Sequence, residues 1–159
     1  MWTVIDSPIG ELRLVEHHDS ITAIEFSPFR DPDGRVRGAR EDAHPLLVET
    51  ARQLTAYFAK ELTEFDLPLA PVGSVFQQRV WKELIEIGYG ETASYGQVAH
   101  RIGKTNAASR AVGLANGSNP IPIVIPCHRV IGANGTLTGY AGGLERKQLL
   151  LGLEQEALF

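Results

Sequence analysis

Two capping boxes in the second half of the chain set where its helices begin. In a capping box, a serine side chain accepts from the backbone three residues later, and a glutamine there bonds back to the serine. Ser74 and Gln77 form one such pattern, and Ser94 and Gln97 form another. Apolar residues follow the first box at helical spacing, so it predicts a helix with one buried face. The second box predicts a short helix that ends near Ile102.

A tight turn separates this short helix from the next one. Residues 103–105, Gly-Lys-Thr, make the turn, and Asn106 is placed to cap a helix that runs to about Ala115. Two short helices joined by a glycine-containing turn are typical of a helix-turn-helix, although any small helical hairpin has a similar pattern. We therefore expect a mainly helical, winged-helix-like or helix-turn-helix domain in this half.

The first part of the chain has the pattern of a strand meander followed by one helix. Residues 3–5, 12–15 and 21–26 are predicted strands, because apolar residues cluster there around turn-forming segments. Residues 28–40 contain Asp-Pro-Asp-Gly and several arginines, which predicts an exposed loop. Residues 44–58 carry an apolar stripe at helical spacing, so this helix should pack on the strands.

Length and composition agree with two small domains. A chain of 159 residues with 43% hydrophobic and 21% charged residues lies in the globular range. Residues 68–73 form a plausible boundary, so we expect a small α/β domain at residues 1–73 and a second domain at residues 74–159. The expected fold class is α+β.

The chain has one cysteine, Cys127, which rules out an internal disulfide. The first residues lack the basic and apolar stretches of a signal or transit peptide. No apolar run approaches the ~18 residues that a membrane span needs. We therefore expect a soluble protein of the cytoplasm, a reducing compartment, without a membrane partner.

Charge is unevenly distributed along the chain. The formal net charge is −4, which alone argues against a nucleic-acid partner. No Asp or Glu lies between Thr92 and Leu144, however, and Arg101, Lys104, Arg110 and Arg129 give that stretch +4. The remaining 11 basic and 19 acidic residues give the rest of the chain −8. This asymmetry indicates a face suited to a polyanion, or a glycine- and serine-rich region that is merely poor in charge.

Prolines change the character of the chain after residue 119. Pro120, Pro122 and Pro126 exclude a helix, so the intervening isoleucines predict an extended segment. Residues 134–135, Asn-Gly, lie between two short apolar stretches and predict a hairpin. Residues 144–153 predict a last helix.

The tetrapeptide from Pro126 to Arg129, Pro-Cys-His-Arg, is the strongest chemical signal. A thiol becomes a nucleophile as thiolate, and a nearby base or positive charge favours that form. A lone cysteine is more often a buried inert side chain. Neighbouring side chains on a regular strand point to opposite faces, so Cys127 and His128 can cooperate only if the chain bends there or a water bridges them.

Several ordered motifs resemble one known family, the O6-alkylguanine-DNA alkyltransferases, also called methylated-DNA–protein-cysteine S-methyltransferases. The resemblance covers essentially all of residues 74–154. Its motifs are Phe76-Gln77-Gln78-Arg79-Val80-Trp81, Ser94-Tyr95-Gly96, Arg110-Ala111-Val112-Gly113, Asn119-Pro120, Ile125-Pro126-Cys127-His128-Arg129-Val130 and Gly139-Tyr140-Ala141-Gly142-Gly143, with a weaker match at Ser7-Pro8-Ile9-Gly10.

The resemblance implies DNA repair by a protein that reacts once. In that family the cysteine takes the alkyl group from guanine O6 and keeps it as a thioether. Cys127 would be the acceptor, His128 would take the thiol proton through a water, and Glu154 would orient His128. Tyr95 would donate to guanine N3, completing the implied catalytic set.

The resemblance also implies a pocket for the flipped-out base. The Ala141 backbone N–H would donate to guanine O6, and the Cys127 and Val130 carbonyls would accept from its amino group. Tyr140 and Pro122 would form the walls of the alkyl pocket. Asn119 would tie the DNA-binding helices to the cysteine loop as structural support.

DNA contacts are implied for the helix-turn-helix, docked in the minor groove. Arg110 matches a finger that fills the gap left by the flipped nucleotide. Ser109, Ala107 and Ala111 would let the backbone approach the groove, and Lys104 would contact the backbone of the DNA. Small side chains offer few contacts to base edges, so we expect weak sequence preference.

The expected partner is double-stranded DNA that contains O6-alkylguanine, bound by a monomer without cofactor. The first half has no cysteine, and His17, His18, His44 and His100 do not make a convincing metal cluster. Ser109 stands where the family commonly has alanine, and residues 88–90 lack the proline that the family often has before the tyrosine at position 89. Neither difference removes a chemical group. The resemblance gives O4-alkylthymine as a second candidate lesion and includes cooperative binding along DNA.

Two other functions compete with this interpretation. A DNA-lesion sensor would keep the fold and Arg110 but usually replaces the cysteine, which is present here. A Cys-His hydrolase would use Cys127 for acyl transfer with turnover, yet the chain offers no clear residue to orient the histidine for it.

Overall fold

The chain divides into two compact units, each with its own core. The computed structural model describes residues 1–29 and 37–156, and the units are Met1–Pro71 and Val72–Phe159. The first unit holds a three-stranded sheet and one helix, and the second is mainly helical. The predicted α+β class is confirmed.

The sheet of the first unit is an antiparallel meander. Strands β1 (Trp2–Ile5), β2 (Leu12–His17) and β3 (Ser20–Phe26) pair in that order, as predicted. Leu14 of β2 lies opposite Thr3 of β1 and Ile24 of β3. The central strand is buried along most of its length, from Leu12 to Glu16, so its side chains are shielded on both faces.

Helix α1 (Pro45–Phe58) covers this sheet. It begins there because the His44 side chain accepts from the backbone two residues on, and a proline occupies the first helical position. Leu47 and Leu54 of the predicted stripe are fully buried, whereas its other two members, Ala51 and Phe58, are half-buried and the neighbouring Tyr57 is fully buried instead. Of the loop predicted at residues 28–40, residues 30–36 lie outside the described part of the chain.

In the residues that the structure describes, the second unit contains four α-helices and a minimal parallel strand pair. They are α2 (Val75–Ile85), β4 (Ala93–Ser94), α3 (Tyr95–Arg101), α4 (Ser109–Gly117), β5 (Val130–Ile131) and α5 (Leu144–Glu156). Both predicted capping boxes form, with the serine and glutamine side chains each bonded to the partner's backbone. Helices α2 and α3 pack on α4, and the Trp81 Nε1 donates to the Ala115 carbonyl at 2.8 Å in the core.

The prediction that Asn106 caps the helix after the turn was wrong. Asn106 begins a short 3₁₀ turn, Asn106–Ala108, and α4 starts only at Ser109 without a side-chain cap. The Asn106 Oδ1 instead lies 3.0 Å from the His100 Nε2 on α3. Gly96 permits this approach, because a Cβ at that position would lie 2.8 Å from the same oxygen.

The proline-rich segment is a compact turn, contrary to the extended prediction. The Ile125 N–H donates to the Ile121 carbonyl at 2.9 Å, and Ile123 has a φ of 74°. Left-handed backbone is rare for a β-branched residue. The three isoleucines at 121, 123 and 125 are buried, so tertiary packing holds this conformation.

The hairpin prediction was also wrong in its pairing. A turn does form, since the Gly132 N–H donates to the Thr136 carbonyl at 2.8 Å and Gly135 has a φ of 82°. Strand β5, however, pairs in parallel with β4, with Val130 opposite Ala93.

Among the helices that the structure describes, none has the length and apolar character to cross a membrane.

Candidate active site

Cys127 begins a short 3₁₀ turn, Cys127–Arg129, directly after Pro126. The chain bends here, so the side chains of Cys127 and His128 are not forced to opposite faces as they would be on a strand. The Cys127 N–H donates to the Ile125 carbonyl at 2.8 Å. The thiol is buried, with the residue 3% exposed.

Two buried asparagines hold the backbone around the cysteine. The Asn116 Nδ2 donates to the Cys127 carbonyl at 3.3 Å, and the Asn119 Nδ2 donates to the Ile125 carbonyl at 2.8 Å. The Asn119 Oδ1 accepts from the Ile121 N–H at 3.0 Å. Asn119 thus links the backbone of Ile121 to that of Ile125, in the segment before the cysteine. Asn116 was missed by the sequence analysis, because an amide on a helix carries no signal of its own.

Burial raises the pKa of Cys127 to about 11. The polar side chains of Asn119 and Tyr140 and the charge of Lys147 lower the pKa of the thiol, but not enough to offset burial. The resting protein therefore holds a protonated thiol at neutral pH. A base must take that proton when the sulfur reacts.

His128 follows Cys127 in the turn and is held by Glu154. It is fully buried, and its Nε2 lies 2.6 Å from the Glu154 Oε2. Since Glu154 is ionised, Nε2 carries the proton and donates it, which leaves a lone pair on Nδ1. No hydrogen-bond partner of Nδ1 is found among the described residues. Burial lowers the pKa of His128, although Glu154 raises it. The imidazole is therefore neutral at pH 7, and its Nδ1 can accept a proton.

Arg129 holds the other side of Glu154. Its Nε and Nη2 donate to the carboxylate at 2.9 and 3.1 Å, and its Nη1 donates to the Ile87 carbonyl at 2.6 Å. Burial alone would raise the pKa of Glu154, but the hydrogen bonds and charges of His128 and Arg129 lower it to about 2. Glu154 thus carries a fixed charge that orients His128.

Lys147 is a second buried cation that the sequence analysis missed. It is fully buried, and its Nζ donates to the Val130 carbonyl at 2.6 Å and the Thr138 carbonyl at 2.8 Å. Burial lowers its pKa, while the nearby Cys127 raises it. A signal existed: residues 147, 150, 151 and 154 share one helical face, and its two leucines are flanked by a lysine and a glutamate.

A surface groove of about 570 Å³ lies over this part of the unit. Such a volume is within the ~300–1,000 Å³ of small-molecule sites. The groove is lined by Tyr95, Ser109, Arg110, Gly113, Leu114, Gly117, Gly139, Tyr140 and Ala141. It brings together five residues of the predicted site, namely Tyr95, Ser109, Arg110, Tyr140 and Ala141. Tyr140 links the groove to the cysteine, because its side chain is close enough to lower the pKa of the thiol.

Nine residues of the predicted site do not line this groove: the four described above, Cys127, His128, Glu154 and Asn119, and five others. Lys104, Ala107 and Ala111 are exposed on and beside the helix-turn-helix. Pro122 and Val130 are buried, and Val130 directly follows the cysteine turn. These five predicted residues therefore fall into an exposed group at the helix-turn-helix and a buried group in the proline-rich and cysteine segments.

Exposed positive charge is confined to one part of the acid-free stretch. Arg101, Lys104 and Arg110 are exposed, whereas the charge of Arg129 is paired with Glu154. The helix-turn-helix thus presents three cations without a carboxylate in the same stretch of sequence. Such a surface attracts a polyanion.

One group of potential metal ligands occurs in the described part of the first unit. Ligand atoms of Glu16, Asp19 and His44 lie within 4.8 Å of one another. His44 Nδ1 already accepts from the Leu46 N–H, and Glu16 pairs with the Met1 amino group at 3.3 Å. These contacts account for the cluster as hydrogen bonds and ion pairs of the fold.

Both units match models of one protein family. Residues 1–71 match the "6-O-methylguanine DNA methyltransferase, ribonuclease-like domain", and residues 75–156 match the "6-O-methylguanine DNA methyltransferase, DNA binding domain". The "Methylated-DNA--protein-cysteine methyltransferase" of Mycobacterium tuberculosis H37Rv is 52% identical over 163 residues, which cover 97% of this chain and 92% of that protein.

Solved structures from the same organism are similar throughout. The crystal structure of the M. tuberculosis O6-methylguanine methyltransferase has a TM-score of 0.89 at 50% identity, covering 98% of this chain and 93% of that one. The crystal structure of M. tuberculosis OGT in complex with DNA has a TM-score of 0.85 at 49% identity, with the same coverage. The predicted resemblance is confirmed: this chain belongs to the 6-O-methylguanine DNA methyltransferase family.

Proposed function

We propose that this protein repairs double-stranded DNA by moving the alkyl group of O6-alkylguanine onto Cys127, once per molecule. The observation that carries the proposal is the position of the cysteine. Its buried thiol lies where Tyr140, which lines the groove, lowers its pKa, and His128, the next residue, is bonded to Glu154 and has no partner for its Nδ1 among the described residues. This arrangement can deliver a nucleophile to a base-sized ligand.

The damaged nucleotide must leave the duplex to reach this thiol. Cys127 is 3% exposed, and guanine O6 in a stacked duplex cannot approach a buried sulfur. Arg110 is exposed and lines the groove, so its side chain can fill the gap in the stack. Arg101 and Lys104 add charge for the phosphates. This surface favours contacts to the DNA backbone over contacts to base edges.

The transfer is a single displacement. His128 Nδ1 takes the thiol proton through a water, and the Cys127 sulfur attacks the alkyl carbon. The S–C bond forms as the C–O6 bond breaks, and its electron pair stays on guanine. The ring takes up one proton in place of the alkyl group. No second nucleophile cleaves the thioether, so the protein is consumed.

Departure of guanine is assisted by hydrogen bonds at the groove. Tyr95 donates to N3, and the Ala141 N–H donates to O6, where charge develops. The Cys127 and Val130 carbonyls accept from the amino group, and Tyr140 and Pro122 enclose the alkyl group. These donors act more strongly in the transition state than on the bound base, so they accelerate the reaction.

We assign the chemistry to residues 74–159 and a supporting role to residues 1–73, because every group in this mechanism belongs to the second unit. We also propose that the protein acts as a monomer in the cytoplasm. A reducing compartment keeps a lone reactive thiol available.

Intact mass measurement tests the proposal. The protein is incubated with a duplex that contains O6-methylguanine, then weighed and digested. We expect a permanent gain of one methyl group on Cys127, with no more than one repaired base per protein. Cys127→Ala should bind the duplex without gaining mass, and an undamaged duplex is the matched control.

Other outcomes would support other functions. Binding of the damaged duplex with no change in mass would indicate a lesion sensor. Many products per protein molecule would indicate a hydrolase. Repair of the duplex with an unmodified Cys127 would contradict the proposed mechanism.

A further inference from the structure

We propose that Thr138 is a positioning residue that acts through Tyr95. Its hydroxyl donates to the Tyr95 phenol oxygen, so the single phenol proton is free for the ring nitrogen of the bound guanine. This inference rests on the proposed function and adds a residue to it.

The two hydroxyl groups are in direct contact. The Tyr95 phenol oxygen lies 2.8 Å from the Thr138 Oγ1, and either atom can donate. Tyr95 is the first residue of α3, which is fixed by the Ser94 capping box. Thr138 lies in the segment between β5 and α5, beside the groove residues Gly139 and Tyr140. The contact therefore joins the helix-turn-helix to the opposite wall of the groove.

Thr138 has an exposed side chain on an anchored backbone. Its carbonyl accepts from the Lys147 Nζ at 2.8 Å, and Lys147 is itself fully buried. The same Nζ donates to the Val130 carbonyl at 2.6 Å, one residue after the cysteine turn. The position of the Thr138 hydroxyl is thus tied to the backbone that carries Cys127.

The chemistry of a phenol explains why this neighbour matters. A phenol has one proton and is a better donor than an aliphatic hydroxyl, so Tyr95 donates to Thr138 when no base is bound. When guanine N3 takes that proton, the phenol oxygen needs a donor, and the Thr138 hydroxyl can turn to supply it. Hydrogen bonds in such a chain strengthen one another. The gain is largest as charge develops on guanine, when Tyr95 donates most strongly.

The test compares two threonines of the same segment. Thr138→Val removes the hydroxyl with little change of shape, and Thr138→Ser keeps it. Thr136→Val is the matched control, because the Thr136 hydroxyl contacts Asn134 at 2.6 Å. Single-turnover rates are measured with the O6-methylguanine duplex and with free O6-benzylguanine, and duplex affinity is measured separately.

We expect Thr138→Val to lower both rates by about 3- to 10-fold, as the loss of one neutral hydrogen bond does. Duplex affinity should not change, Thr138→Ser should restore the rate to within about twofold, and Thr136→Val should react at the wild-type rate. In a Tyr95→Phe background, Thr138→Val should have no further effect. This non-additivity separates positioning of the phenol from a general structural role.

Two results would overturn the inference. One is a wild-type rate for Thr138→Val; the other is the same loss with and without the Tyr95 hydroxyl. A wild-type protein that gained no methyl group would instead refute the proposed function, and this control is measured before any variant.

Discussion

Replacing Glu154 with glutamine removes the charge at the centre of the buried network and keeps the shape of the side chain. Glu154 accepts from His128 and Arg129, and its side chain is 1% exposed. In Glu154→Gln, the Arg129 guanidinium stays buried without its counter-charge. The variant thus imitates the wild-type protein with a protonated Glu154.

The structure gives the size of the effect. Interactions with His128 and Arg129 outweigh burial and lower the pKa of Glu154 from 4.5 to about 2. At about 1.4 kcal/mol for each pKa unit, this contributes about 3 kcal/mol to the free energy of unfolding at pH 7. Because the folded pKa is the lower one, the contribution is complete above pH 4.5 and is lost as the pH falls through 2. About 1 kcal/mol remains at pH 3.

Urea denaturation at pH 7, 5 and 3 measures this difference. The chain has two tryptophans, Trp2 in the first unit and the buried Trp81 in the second. A Trp2→Phe background therefore lets Trp81 fluorescence follow the second unit alone. Glu49→Gln is the matched control, because Glu49 also has a pKa of about 2 but lies in α1 of the first unit.

We expect Glu154→Gln to be less stable than its parent by about 3 kcal/mol at pH 7 and by about 1 kcal/mol at pH 3. Glu49→Gln should leave the Trp81 transition in place at every pH. An equal loss at pH 7 and pH 3 would show that Glu154 contributes packing rather than charge, and would refute the reasoning.

Three further predictions concern the thiol and the groove. Thiolate absorbance, read against Cys127→Ser, should rise only near pH 11, because burial raises the pKa of the single cysteine; a rise near pH 7 would contradict this. In Lys147→Met the same rise should stay near pH 11, since burial lowers the pKa of Lys147 and the amine is already largely neutral at that pH; a marked shift would contradict this. Arg110→Ala should slow repair of the duplex by about 10-fold or more while free O6-benzylguanine reacts at the wild-type rate. Equal slowing of both substrates would remove the assignment of Arg110 to base flipping.

Local signals in the sequence were enough to predict most of the elements. The capping boxes at Ser74 and Ser94 fix helix starts through contacts three residues apart, and both form as predicted. The meander of the first unit follows from apolar alternation and turns. The motifs around Cys127 indicated the family by themselves, because residue types and their spacing are properties of the chain alone.

Tertiary structure decided what those residues do together. Ile123 adopts a left-handed backbone and β5 pairs with β4 because buried contacts from distant segments outweigh local preference. The network of Glu154 with Arg129 and the contact of Thr138 with Tyr95 join residues far apart in sequence. The raised pKa of Cys127 is likewise a property of its surroundings, since only folding removes the thiol from water and places Asn119, Tyr140 and the buried cation of Lys147 around it.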